Sequence, residues 1–122
     1  MQPAVIKYSS AAEYFFREGC FINEISNRPE DDELSIARVR VRPGEGTRWH
    51  SLDDRIERYV ILQGIGMVEI GHLPVQEVGI GDVVCVPAGC RQRIFNAGDR
   101  DLIFLALCTP RFVPGCYSDR EG

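Results

Sequence analysis

The chain has 122 residues, of which 44% are hydrophobic and 26% charged, with a formal net charge of −4 at pH 7. That length suits one domain and is short for two independent cores, and the composition is that of a globular chain. An acidic balance gives no global positive field for nucleic-acid phosphates or anionic lipid, so neither nucleic acid nor membrane is expected as a partner.

In chain order, Ser10 with Glu13 three residues on has the form of a capping box, and Gly19 suits a left-handed stop. The pattern predicts a short N-terminal helix over about residues 10–18. A short strand is predicted over 20–25, then an acidic, solvated loop over 27–33. Residues 34–41 alternate, with Ile36, Arg38 and Arg40 on one face and Ala37, Val39 and Val41 on the other. Further strands are predicted over 47–52, 57–63, 67–70, 75–78, 82–87, 92–96 and 101–108. Glycine-rich turns separate them, including Gly64-Ile65-Gly66 and Ala97-Gly98-Asp99. Many short strands at this spacing predict an all-β barrel or sandwich. The tail over about residues 109–122 is expected to be irregular, with Phe112 and Tyr117 packing back on the body.

The longest apolar run, Leu102 to Cys108, is far shorter than the ~18 residues of a membrane-spanning helix. The first residues lack the basic and apolar regions of a secretory signal. Five cysteines without a C-x-x-C pair then suggest reduced thiols in a cytoplasmic protein. Lys7 is the only lysine, which leaves little room for Schiff-base chemistry.

Strand period places candidate chemistry on inward faces. Arg48, His50 and Leu52 share one face, Glu57, Tyr59 and Ile61 another, and Gln92, Ile94 and Asn96 a third. Three strands thus present His50, Glu57 and Gln92 toward one point. Two readings of that point stay open. In one, the three residues hold a divalent ion. In the other, Arg48 and His50 neutralise Glu57 in a metal-free interior, with Gln92 bridging. Tyr59 is a candidate proton donor, or a packing residue with its hydroxyl satisfied. Cys85 and Cys108 read as small core residues, Cys90 as a thiol without a base, and His72 as an exposed turn residue.

The chain resembles the cupin superfamily. Gly44, His50, Glu57 and Gly64 fall in the spacing of the first cupin motif, and Gly81, Pro87, Gly89 and Asn96 in that of the second. Leu52 and Gln92 stand where each motif has a further histidine. The motifs span residues 44–96, within a single domain over 1–122. The C-terminal run from Asp101 to Phe112 is similar to that of cupins described as mannose-6-phosphate-isomerase-like. The resemblance implies a double-stranded β-helix (jelly-roll) fold and a small-molecule pocket inside the barrel. It further implies a divalent transition metal (Zn, Ni, Mn or Fe) on His50, Glu57 and Gln92, and a homodimer. On that reading the ion polarises a small anionic or sugar-like substrate, Arg48 and Gln92 bind it, and Glu57 and Tyr59 are catalytic. Isomerase, lyase and dioxygenase chemistry all fit. The alternative is a metal-free binding or sensing module, favoured by Leu52 and Gln92, or a metal-free acid–base enzyme using Glu57, His50 or Tyr59.

Overall fold

The computed structural model describes residues 1–121. Among the described residues, eleven strands form two antiparallel sheets: β1 (Tyr14–Phe16), β2 (Cys20–Ser26), β3 (Ser35–Val41), β4 (His50–Leu52), β5 (Ile56–Gln63), β6 (Gly66–Ile70), β7 (Gln76–Val78), β8 (Val83–Val86), β9 (Gln92–Asn96), β10 (Leu102–Thr109) and β11 (Tyr117–Asp119). One sheet has the order β1-β2-β3-β10-β5-β8 and the other β11-β4-β9-β6-β7. Neighbours in the sheet order are often distant in sequence, as in a double-stranded β-helix. The fold is the all-β barrel that the sequence predicts. No helix among the described residues is long and apolar enough to cross a membrane.

Alternation decides which side of each strand faces the barrel. Along β10, Leu102, Phe104, Ala106 and Cys108 are buried while the residues between them are half-exposed. Along β5, Glu57, Tyr59 and Ile61 point inward, as their spacing predicts. Val41, Ile61, Ile94, Leu102 and Phe104 join the two sheets into one core. Deep in the second motif, Asn96 donates from Nδ2 to the carbonyls of Val41 and Arg100, both at 2.8 Å, and accepts from Gly98 N–H at 2.9 Å. That buried side chain is fully satisfied and ties the β9–β10 turn to β3.

Four expectations are corrected. The N-terminal helix over 10–18 is only a single 3-10 turn, Ser10–Ala12, followed by β1. Tyr14, Phe15 and Phe16 are aromatic strand-formers, and Gly19, at φ +105°, closes a hairpin with β2 instead of ending a helix. The capping box does not form: Glu13 pairs with Arg40 at 2.8 Å and lies 3.6 Å from Arg38. The strand over 47–52 shortens to His50–Leu52, because Thr47 Oγ1 accepts from Ile94 N–H and Gly46 bridges Phe95. The tail is not irregular throughout: Pro114–Cys116 make a 3-10 turn, and β11 pairs with β4. Phe112 and Tyr117 do pack back, around Leu52, Cys108 and Cys116.

Candidate functional site

Strands β4, β5 and β9 bring His50, Glu57 and Gln92 together. His50 and Gln92 are register partners in one sheet, and Glu57 reaches them from the opposite sheet. Gln92 Nε2 donates to Glu57 Oε1 at 2.7 Å, while Gln92 Oε1 accepts from the Tyr59 hydroxyl at 2.5 Å. Cys108 Sγ lies 3.8 Å from Glu57 Oε2 as a weak donor. A chain of polar groups, Tyr59–Gln92–Glu57, therefore runs across the barrel interior with each member holding the next in orientation.

Beside this chain lies a cavity of about 660 Å³, its mouth included. His50, Glu57, Glu18 and Glu24 are its ionisable carboxyl and imidazole lining groups. Tyr14, Phe16, Tyr59, Phe104, Phe112 and Tyr117 supply aromatic walls, and no lysine or arginine lines it. Two residues in contact with His50 escaped the sequence reading. Glu18 sits in the β1–β2 turn, within the segment predicted as helix. Tyr117 belongs to β11 and stacks on His50, with ring centroids 5.3 Å apart and planes 13° from parallel. Its hydroxyl is buried and has no partner among the described residues. The sequence signal for Glu18 was Gly19, whose left-handed backbone marks a hairpin as readily as a helix end.

His50 is held at one nitrogen: Nδ1 lies 2.7 Å from the Arg48 carbonyl oxygen and 3.3 Å from Glu18 Oε2. Burial raises the Glu57 pKa to about 7; Glu18 adds to the rise, while His50, the Gln92 amide and the Cys108 thiol oppose it. Burial also raises Glu18 to about 7, against a lowering contact with Cys20. The site thus holds two carboxyl groups that exchange protons near neutrality. Burial pushes the Tyr59 hydroxyl and the Cys20 and Cys108 thiols upward, so these stay protonated.

The remaining candidates lie elsewhere. Arg48 is outside the cavity: its side chain is about half exposed and pairs with Asp119 at 3.2 Å, so the expected Arg48–Glu57 pair does not form. The physical reason is the early break in the strand, which frees residue 48 from the inward–outward alternation. Gln92 is 1% exposed, shut behind the cavity wall with both ends of its amide engaged. Tyr59 lines the cavity, but its hydroxyl is committed to Gln92. His72 is exposed, as expected, but Cys85 is exposed too and not a core residue, because the alternation of β8 turns Val84 and Val86 inward instead.

The metal expectation meets a poor donor set. Leu52 is buried in an apolar cluster and offers no lone pair. Gln92 turns its nitrogen toward Glu57, and its oxygen is taken by Tyr59. Of the three expected ligands one imidazole and one carboxylate remain, short of the three protein ligands or more that transition-metal sites use. No group of three or more His, Cys, Asp or Glu side chains suited to an ion occurs among the described residues.

Two antiparallel sheets closed around a polar-and-aromatic pocket define a β-barrel of the double-stranded β-helix class. The cupin domain family matches residues 37–108, more than half of the chain, and the chain belongs to that family. Among curated proteins no match is found. Similar solved structures include a predicted oxalate decarboxylase of Thermotoga maritima, at 25% identity and TM-score 0.68, covering 75% of this chain and 80% of that one. The nucleoside dehydratase PAC13 of Streptomyces is similar at 17% identity and TM-score 0.78, with 97% and 92% covered. An uncharacterized double-stranded β-helix protein of Klebsiella pneumoniae is similar at 14% identity and TM-score 0.76, with 95% and 92% covered.

Proposed function

We propose that this cupin binds a small, uncharged, hydroxyl-bearing molecule in the barrel cavity and performs proton-transfer chemistry on it with Glu57, without a bound metal ion. The observation that carries this reading is the lining: three carboxyl groups and one imidazole among aromatic walls, with no guanidinium or ammonium group. Flat aromatic faces suit the face of a sugar-like or heterocyclic ring, and carboxylates accept from hydroxyl groups. An anion entering the same space meets the ionised forms of Glu18 and Glu57 away from bulk water, and like-charge contacts of that kind cost several kcal/mol. The sugar-like half of the expected substrate class therefore suits the pocket and the anionic half does not. A sugar phosphate, as a mannose-6-phosphate isomerase would need, is disfavoured for the same reason.

Glu57 is suited to donate or accept a proton because its pKa near 7 lets both forms coexist at neutral pH. Gln92 fixes its orientation through Oε1, so the other carboxyl oxygen, Oε2, has only the weak Cys108 contact and is the one available to a ligand. The fold itself does not select a reaction, since similar barrels include a predicted decarboxylase and a dehydratase.

The test is ligand-observed NMR with the whole protein against matched probes: uridine and glucose beside uridine monophosphate and glucose 6-phosphate. At least one uncharged probe is expected to bind, and its phosphorylated partner at least ~10-fold more weakly, which is about 1.4 kcal/mol. Tighter binding of the phosphorylated partner would overturn the reading. Elemental mass spectrometry on untagged protein checks the metal side. Near-stoichiometric Zn, Ni, Mn or Fe, lost in both His50→Ala and Glu57→Ala, would restore the metalloprotein reading that the cupin resemblance implied.

A further inference from the structure

His50 belongs to β4 and Glu18 to the β1–β2 turn of the other sheet, and their contact bears on the tautomer of the imidazole. His50 Nδ1 lies 2.7 Å from the Arg48 carbonyl oxygen. A carbonyl has no proton to give, so a contact that short requires the hydrogen on Nδ1. Glu18 Oε2, 3.3 Å from the same nitrogen, is a second acceptor for it. A neutral imidazole carrying its proton on Nδ1 keeps the lone pair on Nε2. Nε2 has no hydrogen-bond partner among the described residues, and the ring lines the cavity. Tyr117, stacked on the ring, fixes its plane.

We propose that His50 is the proton-accepting base of the cavity, acting through Nε2, and that Glu18 is the positioning residue that holds the ring in the required tautomer. The proposal rests on the pocket reading above and adds the base to it. A ligand hydroxyl or acidic C–H gives its proton to Nε2, and the bonding pair stays on the ligand. The imidazolium so formed shares its charge with the Glu18 carboxylate across the Nδ1 contact. Glu57 in its protonated form returns a proton to the ligand, so one proton enters the protein and one leaves, with no change in oxidation state. Glu18 acts here as the carboxylate that orients a histidine, a role set by geometry and not by sequence order.

The experiment reads the tautomer directly, in the full chain and with no ligand present. Two-bond proton–nitrogen imidazole spectra are recorded on 15N-labelled protein at pH 8, where Glu18, with its pKa near 7, is ionised. The chain has only two histidines, so His72→Asn assigns the signals. The expected result is one form, protonated at Nδ1 and bare at Nε2. In Glu18→Gln, whose amide can also donate to Nδ1, and in Glu18→Ala, two exchanging forms are expected. Backbone amide spectra show whether each variant keeps its fold, and the isosteric Gln variant serves if the Ala variant does not. A wild-type ring protonated at Nε2 would overturn the proposal. So would variants that retain the single wild-type form, since the Arg48 carbonyl would then act alone. Failure of every probe in the binding panel would count against the pocket reading but leave this spectrum unchanged, so the two failures are told apart.

Discussion

Glu57 shows how one side chain trades stability for chemistry. Its carboxyl group is buried beside another carboxyl group, and a single amide donor from Gln92 does not offset the loss of water. The folded-state pKa near 7 is above the ordinary value of 4.5, so the folded protein binds the proton more tightly than the unfolded chain. Stability from this group is therefore full below about pH 4.5 and is lost as pH rises toward 7, by on the order of 3 kcal/mol. Glu57→Gln keeps an oxygen for the Gln92 donor and removes the charge. Urea unfolding should find this variant more stable than the parent at pH 8, by on the order of 2 kcal/mol, and little different at pH 4.5. Equal stability at pH 8 would mean that Glu57 is better solvated than its surroundings imply. Tyr59, expected as a proton donor, is instead the far support of this carboxyl group, because its hydroxyl is spent on Gln92.

Among the elements, the β1–β2 hairpin matters most to the site, because its turn carries Glu18. Gly19 permits that turn. It lies at φ +105°, and a Cβ there would stand 2.6 Å from the Gly46 carbonyl oxygen, a backbone atom that cannot swing aside. Close approach of the turn to residues 46–48 is what delivers Glu18 to His50, and Arg48 N–H donates to the Glu18 carbonyl at 2.7 Å. Gly19→Ala should cost on the order of 2 kcal/mol in urea unfolding. It should also abolish the single His50 tautomer in the imidazole spectrum. A loss below about 0.5 kcal/mol would argue that the hairpin is not packed this way. Strand β11 complements the hairpin from the other sheet, since its pairing with β4 sets Tyr117 over the His50 ring.

At the scale of the molecule, the homodimer expected from the cupin resemblance needs an open sheet edge. An exposed edge over residues 20–25 or 34–41 would suit such a pairing, but β2 and β3 both lie inside their sheet, with β1 outside β2 and β10 beyond β3. The open edge on that side is β1, where Tyr14 and Phe15 are 44% and 57% exposed. A second copy pairing there would satisfy the free backbone groups of β1 and cover both rings. Light scattering at micromolar concentration should give a dimeric mass, and Phe15→Asp should shift it toward the monomer. A monomeric parent would remove the dimer.

The barrel was legible in the amino-acid order alone, because strand alternation and glycine spacing are local properties that burial then enforces. The inward sides of β5 and β9 follow directly: Glu57, Tyr59 and Ile61 on one, Gln92, Ile94 and Asn96 on the other. The meeting of His50, Glu57 and Gln92 could be read for the same reason. Arg48 was misplaced because alternation was extended across Thr47–Trp49, where side-chain and bridge contacts replace a strand. Glu18 and Tyr117 were invisible as site residues: one lay in an apparent helix, the other in an apparent tail, and each reaches His50 only through long-range pairing. Which way the Gln92 amide turns was likewise decided by the folded neighbours, Tyr59 and Glu57, since an amide can present either a donor or an acceptor. Local periodicity chose the faces of the strands; only packing of distant segments chose what stands opposite each polar atom, and that choice sets the chemistry of the cavity.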